Sequence, residues 1–301
     1  MDKTAVIVLH YKGEADTKEC LNSILAEYFA NKSLQIIVVV NLADTSFCSL
    51  LEKEYPQIVI IKNQENTGFA LGNNIGLQKA LELGCKYMIL LNNDTLIGPG
   101  LLDKLTSFAG SDPSFGIVSP KIYFAKGYEY HKDRYKEKEI GRVIWYAGGI
   151  FDWANILPRH RGVDEVDKGQ YNKSIDTDFA TGCCMLITKD VIDKVGFFDE
   201  KYFLYFEDID LSVRARKNGF RVVYFPDAYL WHKNASSSGK PGSKLHLYYQ
   251  TRNRLYFGYK YSRLLTKKAL FLDSLKLLLK RGVYKRAVLD YFFGKMGRGD
   301  I

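Results

Sequence analysis

Cysteine is scarce and irregular in this 301-residue chain: Cys20, Cys48, Cys85, Cys183 and Cys184, an odd number with no CxxC pair. That argues against a secreted disulfide framework and a structural zinc site, and it fits a reducing compartment. No uncharged apolar run approaches the roughly 18 residues that a membrane-spanning helix needs. No leader pattern precedes the first strand-like run, as expected of a cytoplasmic chain. Acidic residues nearly vanish between Lys260 and Arg298, where only Asp273 and Asp290 interrupt frequent lysines and arginines. Repeats and extended low-complexity segments are also missing. What remains is long enough to bury a large core, with 47% hydrophobic residues and a formal charge of +9. Such a charge predicts an anionic partner without choosing among diphosphate, lipid head group and nucleic acid. Its position assigns the excess to a C-terminal appendage.

The first half alternates two apolar periodicities. Ala5–Tyr11, Leu34–Asn41, Ile58–Lys62, Tyr87–Leu91 and Gly116–Phe124 are aliphatic runs of the kind that form strands buried on both faces. Between them, Asp16–Phe29 (Leu21, Ile24, Leu25 and Phe29 on one face, Asp16 or Thr17 as cap), Thr45–Glu54, Gly68–Leu83 and Gly100–Phe108 read as helices. Alternation of this kind predicts an α/β fold with a doubly wound, mostly parallel sheet. Ligands of such sheets sit at the carboxyl ends of strands, which places His10-Tyr11, Asn41 and Asn92–Asp94 around one crevice. From Ala125 to Thr177 the pattern breaks down into mixed charged and aromatic residues, read as a long insertion beside the site with a hairpin around Gly148-Gly149. Strand Cys183–Thr188, helix Lys189–Val195, helix Asp208–Lys217 and strand Arg221–Phe225 follow, then a polar Ser236–Ser243 loop and further helices.

Four segments carry candidate chemistry. Asn92-Asn93-Asp94 ends a strand; an aspartate there suits a hard cation on a diphosphate, and equally an Asx turn. Asn66–Gly76 holds glycines at positions 68, 72 and 76 that open a helix toward a phosphate or pack it closely on a sheet. Val195–Asp210 crowds aromatics against Glu207-Asp208-x-Asp210. Carboxylates in a first helical turn are favoured by the helix dipole, but apolar surroundings and like charge would also raise one of them toward the range of a general base. Trp231-His232 is either a hydrogen-bonded core histidine or a ligand. His131, His160 and His246 have no comparable setting.

Taken in order, these segments resemble family 2 of the inverting glycosyltransferases, with the GT-A (Rossmann-like) fold, and especially its bacterial rhamnosyltransferase-like members. The resemblance runs from Ala5 to about Phe257. It rests most specifically on Asn66-x-Gly-Phe-Ala-x-Gly-Asn-Asn-x-Gly and Gly196-Phe-Phe-Asp-Glu-x-Tyr-Phe-Leu-Tyr-Phe-Glu-Asp-x-Asp-Leu. It implies a catalytic domain over residues 1–243, comprising a nucleotide-binding half (1–124), the insertion (125–177) and an acceptor and catalytic half (178–243). Residues 244–301 form a basic helical segment. By the same resemblance, Asp94 and His232 hold Mg²⁺ or Mn²⁺ and Asp208 is the catalytic base. His10, Tyr11, Asn41, Gly68, Asn73, Asn92 and Asn93 line the donor nucleotide, while Gly182, Cys183 and Glu207 border the sugar and acceptor. Two positions depart from the family pattern. Asn41 stands where an aspartate commonly reads the base, leaving uracil against thymine open. Asn92 begins the DxD-type motif, a variant that rhamnosyltransferase-like members share.

The expected activity is transfer of a sugar from a UDP- or dTDP-sugar, dTDP-rhamnose among them, to a hydroxyl of a saccharide or lipid-linked saccharide in cell-surface polysaccharide synthesis. The alternative is a non-catalytic sugar-nucleotide-binding subunit of an assembly complex, against which the intact Asp94, Asp208 and His232 speak. Leucines alternate with lysines and arginines beyond Tyr261. That pattern suits either an anionic membrane surface at the inner face of the cell membrane or docking on the catalytic domain with a solvated basic face. Nothing resembles a groove-reading motif, so no nucleic-acid partner is expected.

Overall fold

The computed structural model describes residues 2–28, 33–234, 242–280 and 282–301. Phe29 and most of the Ser236–Ser243 loop lie outside the described residues. The first half is built from β1 (Thr4–His10), α1 (Glu14–Tyr28), β2 (Leu34–Asn41), α2 (Thr45–Glu54), β3 (Val59–Asn63), α3 (Gly68–Glu82), β4 (Tyr87–Asn92), β5 (Thr95–Ile97), α4 (Leu101–Gly110) and β6 (Phe115–Phe124). Helix α1 opens at Glu14, so Asp16 and Thr17 lie in its first turn and not at its cap. Strand β5, directly after Asn92–Asp94, is too short to show a period in the sequence.

The segment 125–177 is folded onto the sheet. It contains β7 (Ile144–Tyr146), β8 (Gly149–Asp152), β9 (Leu157–His160) and β10 (Ile175–Asp176). A hairpin is present, but β8 and β9 pair from Gly149↔His160 to Asp152↔Leu157, so its turn lies at 153–156, while Gly148 sits in the link from β7 and Gly149 opens β8. The chain continues with β11 (Cys184–Thr188), α5 (Lys189–Val195), α6 (Glu207–Lys217), β12 (Arg221–His232), α7 (Lys244–Tyr261), α8 (Leu264–Leu279) and α9 (Val283–Phe292). Strand β12 differs most from expectation, running on from Phe225 to His232 through an irregularity between Phe225 and Tyr229. Pro226-Asp227 at that point reads as a stop because proline cannot donate to a ladder; here the register shifts past it, with Phe225 opposite Pro120 and Tyr229 opposite Lys121.

The main sheet is mixed and mostly parallel, in the order β10-β12-β6-β11-β4-β1-β2-β3, with β5 added to β12 and β7 to β6. Strands β4, β1, β2 and β3 are parallel neighbours, and β11 is antiparallel to both β4 and β6. Side chains alternate across the pleat. Val6, Val8, Ile36, Val38 and Val40 face a core closed by Leu21 and Ile24 of α1, Phe47 and Leu51 of α2 and Leu101 and Leu105 of α4. Ala5, Ile7, Ile37 and Val39 face a second core with Ala70 and Leu77 of α3, Val191 of α5 and Leu211 of α6. Burial on both faces explains why these strands read as continuous aliphatic runs.

Helix α7 is docked: Tyr248, Tyr249, Arg252, Asn253, Leu255 and Phe257 are buried, and α8 and α9 pack against it. The outer side of α8 is open. Leu264, Leu265, Leu272, Leu275 and Leu279 are exposed, Leu279 at 86%, and lie within roughly 120° of one another around the helix. Among the described residues no helix is long and apolar enough to cross a membrane.

Candidate active site

Three residues far apart in sequence meet because of two strand pairings. Strand β5 turns back from Asp94 and pairs antiparallel with the last residues of β12, matching Thr95 with His232. The Lys233 amide then donates to the Asp94 carbonyl at 2.9 Å. This puts His232 Nε2 3.1 Å from Asp94 Oδ1, with both side chains buried, while His232 Nδ1 is buried with no hydrogen-bond partner. On the other side, β11 lies along β4, and the Asn92 amide donates to the Cys183 carbonyl at 2.9 Å. The neighbouring Gly182 amide donates to Asp208 Oδ2 at 2.9 Å, and the Ile209 amide to Oδ1 at 2.8 Å. Asp94, His232 and Asp208 thus line one cavity of about 510 Å³.

Asp208 sits at the start of α6 beside Glu207. Burial raises the proton affinity of Asp208 above that of an ordinary aspartate, opposed by the amides of Gly182 and Ile209. Glu207 is pushed up further, first by burial and then by the Asp208 charge. Its Oε2 is buried with no partner, so its neutral form is favoured. The third carboxylate, Asp210, points away into α7 and accepts from Tyr202, Arg214, Lys260 and Tyr261.

Tyr11, Asn41, Gly68, Asn92, Asn93, Gly182, Cys183 and Glu207 also line this cavity. His10 and Asn73 do not. His10 is buried against Phe47, with Nδ1 2.7 Å from Thr17 Oγ, and burial lowers its pKa to about 4. Thr17 Oγ in turn accepts from Asn93 Nδ2 at 2.8 Å, so His10 supports the wall from behind. Asn73 Nδ2 donates to the Phe69 carbonyl. The Asn41 amide is spent internally: Nδ2 donates to the Gly68 carbonyl (2.9 Å) and Asn66 (3.2 Å), and Oδ1 accepts from Thr67 and Asn63. Gly72 and Gly76 are packing glycines: a Cβ on Gly72 would come within 2.7 Å of Leu9 Cδ1, and one on Gly76 would meet Ile7.

Sequence reasoning missed the aromatic side of the cavity. Trp145 of β7 lies edge-on to His232 (4.6 Å between centroids) and to His160 (4.4 Å). Tyr130, Pro158, His160 and Val163 of the same segment line the cavity with it, and His246 and Gln250 of α7 close it. Burial holds the His160 pKa near 4, and its Nδ1 lies 3.1 Å from the Trp145 carbonyl. The one available signal was the density of aromatics in 125–177, which has no period to tie it to a face.

Comparison with known proteins decides the family. The family described as "Glycosyltransferase like family 2" matches residues 2–258. This chain is a family 2 glycosyltransferase. The glycosyltransferase is 25% identical over 260 residues to the low-salt glycan biosynthesis hexosyltransferase Agl10 of Haloferax volcanii, covering 84% of this chain and 75% of the relative. It is 29% identical over 203 residues to the N-acetylglucosaminyl-diphospho-decaprenol L-rhamnosyltransferase of Mycobacterium tuberculosis, covering 64% of each chain. Its fold is the GT-A fold of GalNAc-T7, solved with UDP, GalNAc and Mn²⁺ (TM-score 0.66, 14% identity, 96% of this chain and 54% of that one). The mannosyltransferase PcManGT of Pyrobaculum calidifontis, solved with GDP-Man and Mn²⁺, shares it (TM-score 0.56, 14% identity, 97% and 74%).

Proposed function

We propose that this glycosyltransferase moves a sugar, with inversion, from a UDP- or dTDP-sugar to a hydroxyl of a saccharide or lipid-linked saccharide in cell-surface polysaccharide synthesis, and that it needs Mg²⁺ or Mn²⁺. The convergence of Asp94, His232 and Asp208 on one cavity supports this reading above all. The donor set fits a cation that completes its shell from the substrate. Asp94 and His232 stand side by side, His232 has an orphaned ring nitrogen, and among the described residues no three His, Cys, Asp or Glu side chains gather as a full site. Mg²⁺ in particular is held by one or two carboxylates with substrate phosphates and water. Such a cation, when bound, would neutralise charge on the leaving diphosphate.

The remaining work falls to the protein's own residues. Asp208, oriented by the Gly182 and Ile209 amides and raised in proton affinity by burial, takes the proton of the acceptor hydroxyl. The oxygen bonds to the anomeric carbon from the face opposite the diphosphate, whose C–O bond breaks with its electron pair. Asn92, Asn93 and Gly68 border the donor, and Trp145 and Tyr130, which line the same cavity, are candidate acceptor contacts. The exposed leucines of α8, interleaved with Lys268 and Lys276, support docking on an anionic inner membrane face, where a lipid-linked acceptor would be met.

The test is a panel of UDP-glucose, UDP-galactose, UDP-GlcNAc and dTDP-rhamnose with Mn²⁺, read first as thermal stabilisation and then as nucleoside diphosphate release with a lipid-linked saccharide extract. At least one donor should stabilise and turn over, and EDTA should abolish turnover. Turnover that persists in EDTA removes the cation, and a panel without any stabilising donor removes the function.

A further inference from the structure

The carboxylate assigned as base stands on backbone that is costly to hold. Phe203, Tyr205 and Phe206 have φ of 64°, 68° and 76°, in the left-handed region that costs roughly 1–2 kcal/mol per non-glycine residue. These residues lead directly into α6, whose second residue is Asp208. Such strain persists only where the surroundings over-determine it.

The surroundings are α7 and the last residues of the chain. Asn253 Nδ2 donates to the carbonyls of Tyr202 (2.9 Å), Leu204 (2.8 Å) and Tyr205 (2.9 Å). Its own Oδ1 accepts from Arg252 Nε at 3.0 Å. The Arg252 fork points both ways, with Nη2 to the Tyr202 carbonyl (3.1 Å) and Nη1 to that of Gly297 (2.7 Å). The Gly297 amide returns to the Lys201 carbonyl at 2.9 Å, and the Gly299 amide donates to Tyr249 Oη at 2.9 Å. The Tyr249 ring stacks on Phe203 with centroids 5.2 Å apart. Arg252 and Asn253 are both fully buried. Burying a guanidinium and an amide is expensive unless their hydrogen bonds are made, and here most of those bonds go to the segment that carries Asp208.

We infer that Arg252 and Asn253 are positioning residues: together with residues 297–299 they clamp 202–206 in its strained form and so set where the Glu207-Asp208 pair stands. The clamp rests on the reading of Asp208 as base for its effect on turnover, but not for its effect on the loop. Misplacing a reacting group by about an ångström costs on the order of 100-fold in rate.

Asn253→Leu keeps the branched shape and removes both the donors and the acceptor; deletion of 297–301 opens the other jaw and leaves both cores intact; Arg252→Lys keeps the charge without the fork. In each, kcat should fall about 100-fold while the Kd for the donor nucleotide stays within about threefold. Hydrogen exchange at 202–208 should rise at least about tenfold with β1, β2 and β4 unchanged. Unchanged kcat and exchange in both Asn253→Leu and the deletion would overturn the clamp. So would a uniform rise in exchange across the sheet together with lost nucleotide binding, which marks plain destabilisation. If the unaltered enzyme turns over no donor, yet Asn253→Leu loosens 202–208 alone, the clamp stands and the proposed function fails.

Discussion

Gly68→Ala separates two ways in which a glycine is required. Gly68 has φ +78°, and a Cβ there would lie 2.5 Å from both Cδ2 and the carbonyl oxygen of Phe203. The backbone conformation alone costs an alanine roughly 1–2 kcal/mol. Relief of the contact requires Phe203 to move by about an ångström, yet its carbonyl accepts from the amides of Phe69 (2.7 Å) and Ala70 (3.4 Å). Loosening those bonds costs about 0.5–1.5 kcal/mol each, so the whole substitution should destabilise by roughly 2–5 kcal/mol, or about 4–10 °C in Tm for a chain of this length. Gly84 is the matched control, with φ +75° and nothing within 4 Å of a Cβ. Gly84→Ala should show the backbone cost alone, about 2–4 °C. Because Phe203 begins the segment leading to Asp208, Gly68→Ala should also lower turnover by about tenfold or more, and Gly84→Ala should not. Thermal unfolding and nucleoside diphosphate release measure both. Equal Tm losses and equal activities in the two variants would refute the argument that Gly68 is needed for the approach of Phe203.

Asp208→Asn should lower kcat by about 10²–10⁴, the usual value of a general base, with nucleotide Kd unchanged by calorimetry; a loss below about threefold would remove Asp208 from that role. Glu207 is held above the ordinary carboxylate range by burial and by Asp208, so the native state binds its proton more tightly than the unfolded chain. The resulting stability is present below pH about 4.5 and is lost as pH rises through the raised value. Glu207→Gln should therefore gain Tm over the parent at pH 8, by about 2 °C or more, and little near pH 4.5; a constant offset in calorimetry would contradict the assignment. Leu272→Glu with Leu279→Glu should abolish sedimentation with phosphatidylglycerol vesicles while leaving turnover of a soluble acceptor intact. Binding that survives the change places the contact elsewhere.

The amino-acid sequence by itself determined the α/β order, since β1, β2 and β4 are buried on both faces, the edge strand β3 keeps an aliphatic core-facing run, and periodicity records burial. It also determined the glycosyltransferase family, because the residue types at Asn66–Gly76, Asn92–Asp94 and Gly196–Asp210 follow one another in one order. Tertiary structure alone decided how the site is assembled. The proximity of Asp94 and His232 depends on a three-residue strand without a period and on a β12 that continues past Pro226 through a shift of register. His10 lies behind the wall because it continues the alternation of Val6 and Val8 toward the α2 side, where it meets Phe47, while Leu9 and Tyr11 line the cavity; which face carries the cavity is set by the packing of distant elements. The aromatic side formed by Trp145 and Tyr130, and the hold of Arg252 and Asn253 on the strained loop, are long-range contacts of side chains and carbonyls. No local pattern encodes such contacts, because their partners are chosen by the packing of distant elements.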